Sequence, residues 1–145
     1  MRALGLDLGS KRIGVALSDS NGRLALPYEV VHRSGDRDRD HRRIAELVEE
    51  TGAEVVVVGI PYSLDGGTGP TARRHLAEIR RLRGTLGVPV STYDERLTTV
   101  TAERALRETG LSGRDRRKVV DQVAAAVMLQ SWLDHRARRE DPPRE

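Results

Sequence analysis

The run Val55-Val56-Val57-Val58-Gly59-Ile60 restricts the fold more than any other part of this sequence. An apolar, β-branched stretch with no polar alternation describes a strand buried on both faces, and such strands lie inside parallel sheets covered by helices on either side. The flanking patterns agree with that. Ala3 to Leu8 and Ile13 to Leu17 alternate apolar with small residues and are joined by the short link Gly9-Ser10-Lys11-Arg12, which predicts a hairpin. Asp19-Ser20-Asn21-Gly22 is a turn signal, and Leu24 to Val31 reads as a third strand that completes an antiparallel meander.

The period then changes. Ile44, Leu47 and Val48 share one face of a charged helical segment ending at Thr51-Gly52, just before the Val55 run. A Gly-rich loop from Ser63 to Gly69 leads to a helix opened by Pro70, with Ala72, Leu76, Ile79 and Leu86 directed inward. Val88 to Tyr93 predicts a fifth strand, and Thr98 or Thr99 caps a helix carrying Ala102, Ala105 and Leu106 to a stop at Gly110. Ser112 to Lys118 reads as a basic link before a last helix running to about Leu133. The charged tail Arg136 to Glu145, with Pro142-Pro143, reads as disordered, which places one domain over residues 1–135 and a tail over 136–145. Right-handed crossovers put strands four and five parallel to strand one, so the expected fold is α/β with a mixed five-stranded sheet in the order 3-2-1-4-5.

Against that frame, three acidic residues stand out. Asp7 interrupts the apolar pattern of Leu4, Leu6 and Leu8, Glu95 follows the fifth strand, and Asp121 lies on a helical stripe with Ala124, Ala125, Met128 and Trp132. Buried carboxylates are costly unless a positive group holds them, and a shared divalent cation does so. Small residues (Gly5, Gly9, Gly14, Ala16 and Ser18) surround Asp7 and leave room for a phosphate with its metal. Alanines on the Asp121 stripe let that helix lie close to the sheet, bringing Asp121 toward Asp7. The C-terminal ends of strands one, four and five share one edge, where ligands of open α/β sheets bind. Strand alternation puts Asp94 and Glu95 on opposite faces and leaves open which of them belongs to the site.

Composition narrows the chemistry. The chain contains no cysteine, so a metal must be held by oxygen or histidine, and His32, His41, His75 and His135 stand in charged contexts expected to be solvent-exposed. Without Phe, and with one Trp and three Tyr in 145 residues, an aromatic platform for stacking bases is not expected. The net charge is +3 and the pI about 9.8, a balance carried by arginine that suits a phosphate-bearing partner and equally a biased base composition. Lys11, Arg12 and Arg96 adjoin the acidic residues. Arg114, Arg116, Arg117 and Lys118 lead into the last helix, and these seven are the candidate contacts for nucleic acid. The loop Gly66-Gly67-Thr68-Gly69 before a helix can hold a phosphate on its backbone N–H groups or serve as an ordinary turn. No signal peptide or apolar span is apparent, so a cytoplasmic protein without membrane attachment is expected.

The stretch Gly5-Leu6-Asp7-Leu8-Gly9-Ser10-Lys11-Arg12-Ile13-Gly14-Val15-Ala16 resembles the opening motif of the YqgF (RuvX) family, nucleases of the RNase H-like superfamily. Three further segments match in the same order: Val58-Gly59-Ile60-Pro61 with Asp65-Gly66 and Gly69-Pro70, then Asp94-Glu95-Arg96-Leu97-Thr98-Thr99, then Asp121 with Ala124-Ala125 and Leu129-Gln130. Ser63 stands where that family commonly has Asn, and Gly67-Thr68 where it has a Thr-Glu pair. The resemblance implies an RNase H-like fold, Asp7, Glu95 and Asp121 as catalytic carboxylates binding two Mg²⁺ or Mn²⁺ ions, and an endonuclease acting on structured nucleic acid. It further implies processing of the 5′ end of the 16S rRNA precursor; with few aromatic anchors and no evident large apolar surface for an obligate dimer, a monomer or weak homodimer with a ribosomal subunit as partner is expected. The alternative is resolution of Holliday junctions in branched DNA, as in the related resolvase RuvC. An actin-like ATP-binding domain, which shares an Asp-x-Gly hairpin, and an inactive nucleic-acid binder are the remaining classes. The acidic set argues against the second of these. Gly67-x-Gly69-x-x-Ala72 formally satisfies a dinucleotide fingerprint but follows its strand only after Pro61 to Gly66, the wrong context.

Overall fold

A computed structural model of the chain describes residues 1–97 and 113–140, with side chains for residues 1–97 and 122–138. The meander comprises β1 (Ala3–Leu8), β2 (Arg12–Ser18) and β3 (Ala25–His32). It is followed by α1 (Arg37–Thr51), β4 (Val55–Ile60), α2 (Pro70–Thr85), β5 (Val90–Asp94), a 3₁₀ turn at Glu95–Leu97 and α3 (Gly113–Glu140). The sheet order is β3-β2-β1-β4-β5, as the crossover rule requires. β1 pairs antiparallel with β2 and parallel with β4, and β4 pairs parallel with β5.

Strand alternation divides the core into two layers. Leu4, Leu6 and Leu8 of β1 and Val56, Val58 and Ile60 of β4 pack against α1 and α2 through Ile44, Leu47, Ile79 and Leu82. Ala3 of β1 and Val55 and Val57 of β4 pack on the other face against Ala125, Met128, Leu129 and Leu133 of α3. That explains the unbroken β-branched run: every residue of β4 is buried because both faces are covered.

Small residues let α3 approach closely. A Cβ at Gly5 would sit 2.9 Å from the Leu129 Cβ and 3.3 Å from the Ala125 carbonyl oxygen. Gln130 fastens the same helix to the meander, its Oε1 accepting from the Ala25 N–H and its Nε2 donating to the Arg23 carbonyl, each at 2.8 Å. Leu133 reaches Gly22 beside Met1, whereas Ala125 and Leu129 lie on Gly5. α3 therefore runs antiparallel to β1, and its N-terminal part extends toward the Asp7 end of the sheet.

Several boundaries differ from expectation. β5 begins at Val90, because Pro89 has no N–H to give to the ladder. The basic segment Arg114 to Lys118, expected as a link, is helical, as is the first half of the expected tail, since α3 continues to Glu140. Arginine, alanine and glutamate are strong helix formers, and Arg136 stacks over the Trp132 ring at 5.5 Å, one turn back. The helix expected between Thr98 and Gly110, and residues 141–145 of the expected tail, lie outside the described residues.

Candidate active site

Asp7 is on the α3 side of β1, two residues beyond Gly5. The parallel register, which pairs Leu6 with Val58, puts Gly59 of β4 beside it. Glu95, in the 3₁₀ turn after β5, lies directly over Gly59: a Cβ there would meet the Glu95 Oε1 at 2.6 Å and its Cγ at 2.8 Å. From that position the Glu95 carboxyl hydrogen-bonds Asp7. Two carboxyl groups joined by a hydrogen bond need a proton between them. Burial pushes the Glu95 carboxyl above its ordinary value and the negative charge of Asp94 adds to this, while the bond with Asp7 opposes both. A pair of like acids pressed together in a half-buried setting is a site that a divalent cation would relieve, since it replaces the shared proton with charge for both.

Asp94 takes another role. Its carboxylate accepts from the Nε of Arg96 at 3.0 Å and also from Nη2, and this pairing holds it below the usual carboxylate range. Of the two acids that alternation left open, Glu95 is the one that meets Asp7. Arg96 is correspondingly engaged, with its guanidinium 5.8 Å from the centre of the Tyr62 ring. Lys11 is exposed at the hairpin tip and Arg12 is half-buried at the start of β2. Gly9 is needed in that hairpin, because a Cβ would lie 2.4 Å from the Arg12 carbonyl oxygen.

Asp121 lies two turns into α3, one turn before Ala125 on the same stripe. One helical turn advances about 5.4 Å, and two strand residues about 6.6 Å. The backbone of Asp121 thus advances from Gly5 along the sheet about as far as Asp7 does. The side chains of Asp121, Arg114, Arg116, Arg117 and Lys118 lie outside the described residues. Among the described residues no three metal-ligating side chains converge.

The Ser63 to Gly69 loop is closed on itself. The Gly67 N–H donates to Asp65 Oδ1 and the Gly66 N–H to the Ser63 carbonyl, each at 2.8 Å, so these groups are not offered to a phosphate. Only part of the histidine expectation survives. His32 is exposed, but His41 is buried, with its Nε2–H donating to Glu78 Oε2 at 2.7 Å. Glu78 also accepts both terminal nitrogens of Arg33 at 2.9 Å, and the Arg33 Nε donates to the Gly9 carbonyl at 2.7 Å. This chain of contacts ties the hairpin after Asp7 to both helices on the opposite face.

Burial would raise the Glu78 carboxyl, but His41 and Arg33 outweigh it and hold it at about 2 against an ordinary 4.5. A carboxylate depressed in the folded state stabilises the fold above its unfolded value and loses that contribution as pH falls toward the folded one. Glu78→Gln should therefore cost about 3–5 kcal/mol at neutral pH. The gap between variant and wild type should close as pH falls from about 4.5 to about 2. Urea unfolding across that window measures it, and a gap independent of pH would contradict the assigned charge.

A twisted mixed sheet, helices on both faces and a carboxylate pair at the C-terminal edge define an α/β protein of the RNase H-like, RuvC-like class. Thermus thermophilus RuvC, solved in complex with a Holliday junction substrate, has this fold, with a TM-score of 0.57 and 18% identity over 95% of this chain and 96% of that one. The family model described as "RuvX: Holliday junction resolvase" matches residues 1–135, and the chain belongs to the RuvX family. A Rhodococcus opacus relative is 52% identical over 94% of this chain and 79% of its own length. One from Desulforudis audaxviator is 47% identical over 94% and 96% respectively. Both carry the provisional name pre-16S rRNA nuclease.

Proposed function

We propose that this protein is a metal-dependent endonuclease that hydrolyses phosphodiester bonds at the 5′ end of the 16S rRNA precursor. The observation that carries the reading is the meeting of Asp7 and Glu95 over Gly59, in a chain about half identical to relatives named for that activity. Asp7, Glu95 and, from the helix register, Asp121 form the ligand set. The donor set consists of carboxylates without cysteine, which suits Mg²⁺ or Mn²⁺. Two such ions, when bound, supply charge neutralisation on the attacking and leaving oxygens and an activated water.

The protein's own part is positional. β1 holds Asp7 rigidly in the sheet, the 3₁₀ turn delivers Glu95 from the neighbouring strand end, and Arg96 keeps Asp94 away from the pair. The small residues Gly9 and Gly14 of the hairpin leave room beside Asp7 for a sugar-phosphate backbone to lie against the sheet. Lys11 and Arg12, with the basic start of α3, are the proposed contacts for flanking phosphates.

Cleavage should require Mg²⁺ or Mn²⁺ and stop in EDTA. Ca²⁺, with looser and larger coordination, should support binding with little cutting. The assay compares pre-16S RNA with a four-way DNA junction. Junction resolution requires two coordinated cuts, which a two-fold dimer provides, whereas trimming an RNA end requires one. The family description keeps the junction reading as the alternative. Symmetric paired cuts in the junction, with precursor RNA left intact, would establish it; full activity in chelator would remove the metal mechanism.

A further inference from the structure

We propose that a cleft on the opposite face of the sheet from Asp7, between the Gly9-Ser10 turn, the start of α1 and the N-terminal half of α2, binds backbone phosphates of the same nucleic acid strand. The cleft has a volume of about 520 Å³ and is lined by Gly9, Ser10, Arg33, Arg37, Arg74 and His75, among others. A second cleft of about 370 Å³ shares Ser10, Arg33 and Arg37 with it and adds Lys11. The shared residues join the two into one trough that runs along the α1 and α2 side of the hairpin. Each is of the size that holds an organic ligand rather than a lone ion.

The charge of the trough identifies its ligand. Its two acids are already satisfied internally: Glu78 by Arg33 and His41, and Asp40 by the N–H and hydroxyl of Ser34. Both are buried, at 4% exposure. The cations are arranged differently. Lys11, Arg37 and Arg74 are exposed, Arg37 is no closer than 3.9 Å to Glu78, and among the described residues Arg74 donates only to the Thr71 hydroxyl, at 3.3 Å. What the trough presents outward is therefore positive, and guanidinium groups match phosphate oxygens in pairs.

Position identifies the phosphates as those of the substrate strand. Asp7 and Leu8 are consecutive in β1 and face opposite sides, so the active site and the trough are separated by the thickness of one strand and its hairpin. A strand with one phosphate at Asp7 and Glu95 needs only to cross the hairpin tip, past Lys11, to enter the trough. The Arg33 bond to the Gly9 carbonyl holds the two halves of that path in register. The identity of the ligand rests on the nuclease reading; the existence of an anion site does not.

The test uses the full chain and labelled RNA from the 5′ end of the 16S precursor, with affinity measured across a salt series. The double variant Arg37→Ala, Arg74→Ala should bind at least about tenfold more weakly. Its slope of log affinity against log salt should be shallower by about 1.4–1.8, the release expected from two phosphates. Arg80→Ala, an exposed arginine of α2 outside the cleft, controls for net charge and should leave both unchanged. Wild-type affinity and slope in the double variant, or an equal loss from Arg80→Ala, would overturn the proposal. A wild-type protein that binds with the full slope but never cuts would remove the nuclease reading and leave the trough standing. Normal cutting with no slope difference in the double variant would do the reverse.

Discussion

Asp7→Asn is expected to reduce cleavage by at least a hundredfold, about the upper limit of what losing a supporting contact of a metal ligand costs, while leaving RNA affinity close to wild type. Asparagine keeps the shape of the side chain and its hydrogen bond to Glu95, but it removes one of the two negative charges that a cation would join. The variant should fold at least as well as wild type without metal, because the paired acids no longer oppose each other across the Gly59 surface. A thermal melt separates this from a trivial loss of structure. Mg²⁺ should raise the midpoint of the wild type, since it binds only the folded site, and should not raise that of the variant. An Asp7→Asn protein that cuts at the wild-type rate, or still gains stability from Mg²⁺, would exclude Asp7 from the metal site.

Gly59→Ala tests the same site from beneath. A methyl group at Gly59 would lie 2.6 Å from the Glu95 Oε1, and the end of the Glu95 side chain can move aside far more cheaply than the sheet can. The fold should therefore tolerate the change, with stability altered by less than about 1 kcal/mol, because alanine is no worse than glycine in a strand interior. Cleavage should fall about a hundredfold, the scale associated with a catalytic group displaced by about an ångström. Titration calorimetry with Mn²⁺ should show a matching loss of metal affinity. Full activity in this variant would mean that Glu95 acts from another position.

Gly59 also shows what a linear reading passes over. A glycine within four valines and an isoleucine weakens a strand, and an isolated glycine there signals a close approach by something else. That signal was available in the sequence, but what approaches, the Glu95 carboxyl arriving from the next strand, depends on a register set by two parallel pairings. His41 was misjudged for a related reason. Charged helical segments ordinarily face water, and its partner Glu78, itself held by Arg33, is 37 residues away in a different helix. The two helix ends of α3 were read short because polar, basic composition resembles a linker, although it is also compatible with an exposed helix.

By itself, the sequence determined the order of elements, the sheet topology and the placement of Asp7. Those follow from periodicity and from the handedness of crossovers, which are local or generic properties of a chain. It also carried the four motifs that mark the family. Only the tertiary structure shows the different partners of Asp94 and Glu95, giving the first to Arg96 and laying the second across Gly59 onto Asp7. It alone decided that two acids in the basic trough are silent while three cations beside them face outward. Pairing of charges across distant elements is a matter of three-dimensional neighbourhood, and a spacing of dozens of residues carries no trace of it.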